Sequence, residues 1–186
     1  MTAPTRGLAI TTLGLWLALP AGPACGELIE VRQLAGGMEC AECAHNLRVE
    51  AARLEGAIAS EASWNRRILT VRFRADNRVT LEDLRALVRR HHFTVGEAEI
   101  LVRGRVARSA TGRWRLRVAG SSDAYDVEAA DASSGASLAA RLDRIAASHD
   151  QALITVRGRI AGDPAPASQE APRLWILEIV SADPAI

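Results

Sequence analysis

Residues 28–43 read Leu-Ile-Glu-Val-Arg-Gln-Leu-Ala-Gly-Gly-Met-Glu-Cys-Ala-Glu-Cys. The first seven of these predict a strand, and Gly36-Gly37 marks the turn that ends it. A helix is expected to start at the cysteines. Leu47, Ala51 and Leu54 follow at spacings of four and three, which puts them on one helical face, and Gly56 is expected to stop the helix.

The pattern continues outward from this unit. Ala57–Trp64 predicts a second strand, and Asn65-Arg66-Arg67 a polar turn. Ile68–Phe73 predicts a third strand, with Leu69, Val71 and Phe73 on one side. Thr80-Leu81-Glu82-Asp83 fits a capping box in which Asp replaces the usual Glu or Gln. Leu81, Leu84, Leu87 and Val88 form the apolar stripe of that helix, and Arg89 and Arg90 suit the dipole at its end. Phe93-Thr94-Val95 begins another strand. Residues 27–97 therefore predict an α+β domain of ferredoxin-like β-α-β-β-α-β order.

The remainder, 98–186, changes character. Residues 99–107, 113–119 and 124–130 read as strands, a helix opens at Ser137, and 152–160 and 173–180 read as two more strands. The order β-β-β-α-β-β matches a small OB-type β-barrel. Val102-Arg103-Gly104-Arg105-Val106 is echoed by Val156-Arg157-Gly158-Arg159-Ile160, and a strand glycine permits the bend a small barrel needs. Each copy is followed by a strand containing a Trp, making Trp114 and Trp175 candidate core residues. This half is expected to have a core of its own, so that a fragment ending after Glu97 would still bind metal.

Residues 1–26 have the form of a signal peptide: Arg6, then an apolar run from Leu8 to Leu19, then Pro20 and small residues at Ala24 and Gly26. An uncleaved anchor and a lipidated Cys25 are the competing readings. Cleavage would leave a periplasmic or secreted chain with two cysteines, Cys40 and Cys43, and no membrane span. In an oxidising compartment a C-x-x-C pair is a metal site, a redox pair or a structural disulfide. A disulfide closing so short a loop constrains the unfolded chain little, which disfavours the purely structural role. Two thiolates at a helix N-terminus are stabilised by its free N–H groups and partial positive charge, and soft sulfur selects ions such as copper(I).

Gly37-Met38-Glu39-Cys40-Ala41-Glu42-Cys43, placed after a first strand, resembles the hallmark Gly-Met-x-Cys-x-x-Cys of the heavy-metal-associated domain family. The family includes copper chaperones and periplasmic mercury-binding proteins. The resemblance implies capture of copper(I) or mercury(II) by Cys40 and Cys43. It implies a loop supported by Gly37, by Met38 as a buried plug and by Phe93 as a cover. It allows His91 or His92 as a third ligand, against the alternative of two solvated histidines at a helix end. Ala44 and His92 depart from the family, which usually has a larger apolar residue and a Gly there. His45 is expected at the surface, and Glu39 and Glu42 to tune exchange and docking.

All 23 positive charges are Arg, balanced by 22 acidic residues for a net charge of +1, which argues against a phosphate-tracking surface. The Arg residues at 103, 105, 113, 115 and 117 are accounted for by strand alternation, so no nucleic-acid partner is expected. The chain is thus expected to be a monomeric, non-enzymatic metal carrier serving a metal transporter or metal-acceptor protein. The rivals are a thiol–disulfide oxidoreductase and an OB-fold adaptor with a metal-sensing module.

Overall fold

A computed structural model describes residues 27–75, 77–118, 121, 123–130, 135–148, 153–163 and 172–183. The signal-peptide reading of residues 1–26, and His149, lie outside these residues.

The chain is α+β. The first part runs β1 (Glu27–Gly36), α1 (Ala41–Ala51), β2 (Ala57–Ser63), β3 (Ile68–Phe73) and α2 (Leu81–Arg90). β4 (Thr94–Arg108) follows, then β5 (Trp114–Arg117), β6 (Ala124–Ala129), α3 (Gly135–Ser148), β7 (Leu153–Ile160) and β8 (Arg173–Asp183). The strands form one sheet in the order β2-β3-β1-β4-β5-β6-β8-β7. A further β4–β7 pairing closes the last five into a barrel, mixed because β6 and β8 run parallel. Both α1 and α2 pack on the sheet built from β2, β3, β1 and β4. Among the described residues no helix is long and apolar enough to cross a membrane.

The helices form for local reasons. Thr80 and Asp83 make a reciprocal capping box at the start of α2, and Leu81, Leu84, Leu87 and Val88 are buried. α1 buries Ala44, Leu47 and Ala51. It ends at Ala51, five residues before Gly56, and the intervening turns carry the chain into β2.

β4 departs from expectation. Two strands were expected, with a domain boundary between residues 97 and 98; one continuous strand spans that position. Ala98, Ile100, Val102 and Val106 alternate inward along it. Residues 94–103 pair with β1 on one edge, and 98–105 pair with β7 on the other. Gly96 does not break the strand, because the Leu34 side chain lies over it: a Cβ there would be 2.7 Å from Leu34 Cδ2. A register shift in β1 between Gln33 and Ala35 absorbs the irregularity.

One apolar cluster consequently runs from Leu28 through Ile100 and Val102 to Ile176. Polar contacts tie the halves further. Asp123, in the β5–β6 turn, accepts from the Leu81 N–H at 3.1 Å and from the Tyr125 hydroxyl at 2.8 Å. Burial pushes that hydroxyl well above its usual pKa, so it remains a donor. Arg89 holds Asp163 with two bonds of 2.8 and 3.0 Å. The expectation of a separate barrel core is not met: β4 is shared, and the buried side chains of the two halves form one cluster.

The echoed segments lie side by side. Val102 pairs with Val156, Gly104 with Ile154, and Gly158 with Ile100. A Cβ on Gly104 would sit 2.5 Å from the Arg117 carbonyl oxygen, and one on Gly158 2.8 Å from that of Trp175. Each glycine thus admits a neighbouring strand's backbone where the barrel curls. Trp114 is buried, as expected of a core residue. Trp175 is only half-buried: Leu174 and Ile176 take the interior positions, and alternation turns Trp175 the other way.

Candidate metal site

The site is built where β1 hands over to α1. Gly37 adopts φ 88°, a left-handed conformation that an L side chain resists. The turn drives Met38 into the core, where it is fully buried. Cys40 then takes extended backbone as the N-cap of α1, and its sulfur accepts from the Cys43 N–H at 3.0 Å. A sulfur here occupies the place a Ser or Asp oxygen usually fills, leaving Cys40 exposed and Cys43 half-buried against the core.

Cys40 and Cys43 are joined as a disulfide. Of the three roles open to the pair from sequence, this is the oxidised form, in which neither sulfur titrates. Its reduction would expose two thiols at a helix N-terminus, where the free N–H groups favour the thiolate.

Phe93 lies against the loop: a Cβ on Gly37 would be 3.9 Å from Phe93 Cδ1. Its ring stacks with that of His91 at 6.4 Å between centroids and 7° between planes. His91 is the C-cap of α2, and His92 follows at φ 61°. The His92 N–H donates to Arg89 O at 2.8 Å, and the Phe93 N–H to Val88 O at 3.2 Å. These two bonds form a Schellman motif, so His92 occupies the position where Gly is usual. Left-handed backbone costs a non-Gly residue about 1–2 kcal/mol, and the extra freedom of unfolded Gly offsets about half of it. His92→Gly is therefore expected to stabilise the fold by about 1 kcal/mol, measured by urea unfolding; a destabilised variant would show that the imidazole makes a compensating contact.

Among the described residues, no three His, Cys, Asp or Glu side chains converge as a metal-holding group. The oxidised structure therefore does not bring His91 or His92 to the cysteines as a third ligand. His45 is exposed on α1, and its Nδ1 lies 3.5 Å from Arg48. Glu39 and Glu42 are exposed beside the sulfurs, and Arg67 approaches Glu39 at 3.8 Å.

Two features near the site were not read from sequence. Arg67 sits at φ 55° in the β2–β3 turn, and its carbonyl accepts from the Ala35 N–H at 2.8 Å, bracing the strand end that enters the loop. Behind the loop, Gln33 is fully buried and Arg85 nearly so. Arg85 contacts Gln33 at 3.4 Å and donates to Ala161 O, while the Gln33 amide donates to Gly96 O at 2.8 Å. Burial pulls the Arg85 pKa down, opposed by the charge of Asp163. A signal existed for the buried pair: Gln33 shares parity with Val31 and Ala35, and Arg85 falls on the Leu81–Leu84–Val88 stripe.

No protein-family model, curated protein or solved structure matches the chain.

Proposed function

We propose that this protein captures and hands on a soft metal ion, copper(I) or mercury(II), through the thiolates of Cys40 and Cys43, and that it is exported from a bacterial cytoplasm. The observation that carries the reading is the convergence of two sulfurs at the N-terminus of α1, one exposed and one half-buried, in the loop shaped by Gly37 and Met38. Exposure on one side suits ligand exchange: an incoming thiolate can reach the ion before the second sulfur leaves. Soft sulfur favours these ions over magnesium or calcium, and two ligands leave coordination positions open to a partner. The ion is cargo, and the reading involves no bond-making catalysis.

The β-α-β-β-α-β order and the two helices on one sheet face support a ferredoxin-like, heavy-metal-associated first half. The strand order β4-β5-β6-β8-β7, closed through β4–β7 with β6 and β8 parallel, supports an OB-type barrel for the second. In this reading the barrel serves as a docking module for a metal transporter or acceptor protein, and the carrier acts as a monomer. The disulfide favours one rival specifically, a periplasmic thiol–disulfide oxidoreductase.

One titration separates them. The chain, reduced by a dithiol and then freed of it, is titrated with copper(I) or mercury(II) under native mass spectrometry. One ion per chain is expected, with slow turnover in an insulin-reduction assay. No bound ion, together with thioredoxin-like turnover lost on Cys40→Ser, would replace metal transfer by disulfide exchange.

A further inference from the structure

The four residues Phe93–Gly96 are held between the cysteine loop and the barrel. On the loop side, Gly36 pairs with Thr94, and a Cβ on Gly36 would lie 3.3 Å from Thr94 Cβ. Phe93 rests beside Gly37. On the barrel side, the Asp163 N–H donates to Val95 O at 3.3 Å. Gly162 packs so closely on the same segment that a Cβ would be 2.6 Å from Val95 O and 3.0 Å from the Gly96 carbonyl carbon. The turn Ala161–Asp163 is then pinned to α2 by Arg85 on Ala161 O and by Arg89 on Asp163. Gln33 links Arg85 back to Gly96.

A coupling path needs an element with two discrete states, and the cysteine pair is one. A dithiol reductant gives up two electrons and two protons: the Cys40–Cys43 bond breaks, two thiols form, and the reductant closes to its own disulfide. The separated sulfurs need more room than the bonded ones. Cys40 is exposed and can take up part of the movement outward, but Cys43 is packed against the core and Met38 is fully buried, so the rest passes along the loop to Gly37 and the Phe93 ring beside it. Closely packed segments transmit such shifts because they contain little free volume.

We propose that the state of the Cys40–Cys43 pair is coupled, through Phe93–Gly96, to the barrel turn Ala161–Asp163. The barrel then senses whether the pair is closed or open. Coupling needs only the two states of the pair and is independent of whether metal transfer is the function.

Hydrogen exchange of the full wild-type chain, oxidised against dithiol-reduced, tests it directly. Amides in 93–96 and 161–163 are expected to change exchange rate by about fivefold or more, the lower end of ordinary coupling between sites. Changes confined to residues 37–47 would overturn the coupling. Linkage requires the reverse effect as well. Gly162→Ala pushes Val95 and Gly96 toward the loop, leaving less room for separated sulfurs. At a fixed dithiol buffer its disulfide-to-dithiol ratio should rise about fivefold, while Leu177→Ala, exposed on β8, leaves the ratio as in wild type. A folded Gly162→Ala protein with an unchanged ratio, or one shifted toward the dithiol, also overturns the proposal. If that variant does not fold, the wild-type exchange comparison decides alone.

Discussion

Replacing both Cys40 and Cys43 by Ser should lower the affinity of the chain for copper(I) or mercury(II) by roughly four orders of magnitude or more. Sites built on thiolates are worth about 10–16 kcal/mol, and each 1.4 kcal/mol is a factor of ten, so removing both sulfurs removes most of the binding. A serine hydroxyl is a hard, protonated oxygen and does not replace a thiolate toward these ions. The fold should survive the change. Cys40 is exposed, and the N-cap role that its sulfur plays toward the Cys43 N–H suits a serine oxygen better than sulfur. The loss of the short-loop disulfide should cost little for the same reason that such a loop constrains the unfolded chain weakly. Competition against a chelator of known affinity, alongside urea unfolding of the same samples, gives both quantities. Undiminished binding by the folded double variant would sink the metal assignment.

Ending the chain after Glu97 should abolish folding of the cysteine-bearing half. The truncation removes the stretch Ala98–Arg103 that pairs with β1, leaving Leu28 and Val31 without their β4 partners Val102 and Ile100. Ile100 and Val102 are both fully buried, and burial of such a side chain contributes about 1.5–3 kcal/mol. Helix α2 loses the Asp123 carboxylate that meets the Leu81 N–H. Arg85 loses the Ala161 carbonyl that holds its guanidinium, and a hydrogen bond to a charged group contributes about 1.5–3 kcal/mol. Together these approach the whole stability of an ordinary domain, about 5–15 kcal/mol. The fragment 27–97 should show no cooperative urea transition and should be digested rapidly by a nonspecific protease. A sigmoidal transition with native-like circular dichroism would mean that the shared strand is dispensable.

The order and kind of the elements were legible because each is dictated locally. The spacing of four between Leu47 and Ala51, the alternation in Ile68–Phe73 and the Thr80–Asp83 capping box need no distant partner to be read, whereas Leu54, expected on the same face, lies past the end of α1. The cysteine loop was legible for the same reason: Gly37, Met38, Cys40 and Cys43 lie within seven residues, and the turn that brings the sulfurs together is set by their own backbone. Where a domain boundary was expected between residues 97 and 98, the local pattern failed, because nothing local shows that one strand pairs with β1 on one edge and β7 on the other.

By itself, then, the sequence determined an α+β chain with paired cysteines at a helix start, because backbone preferences and side-chain period act over a few residues. Tertiary structure alone decided that β4 serves both halves, that Gln33 and Arg85 are buried together, and that Ala161–Asp163 packs behind the segment covering the cysteine loop. Those contacts join residues 52 to 76 positions apart in the case of Arg85, whose partners are Gln33 and Ala161. Strand pairing at that range is chosen by which faces can be buried at once and by where a missing Cβ lets one backbone approach another, and no local window of sequence contains both partners.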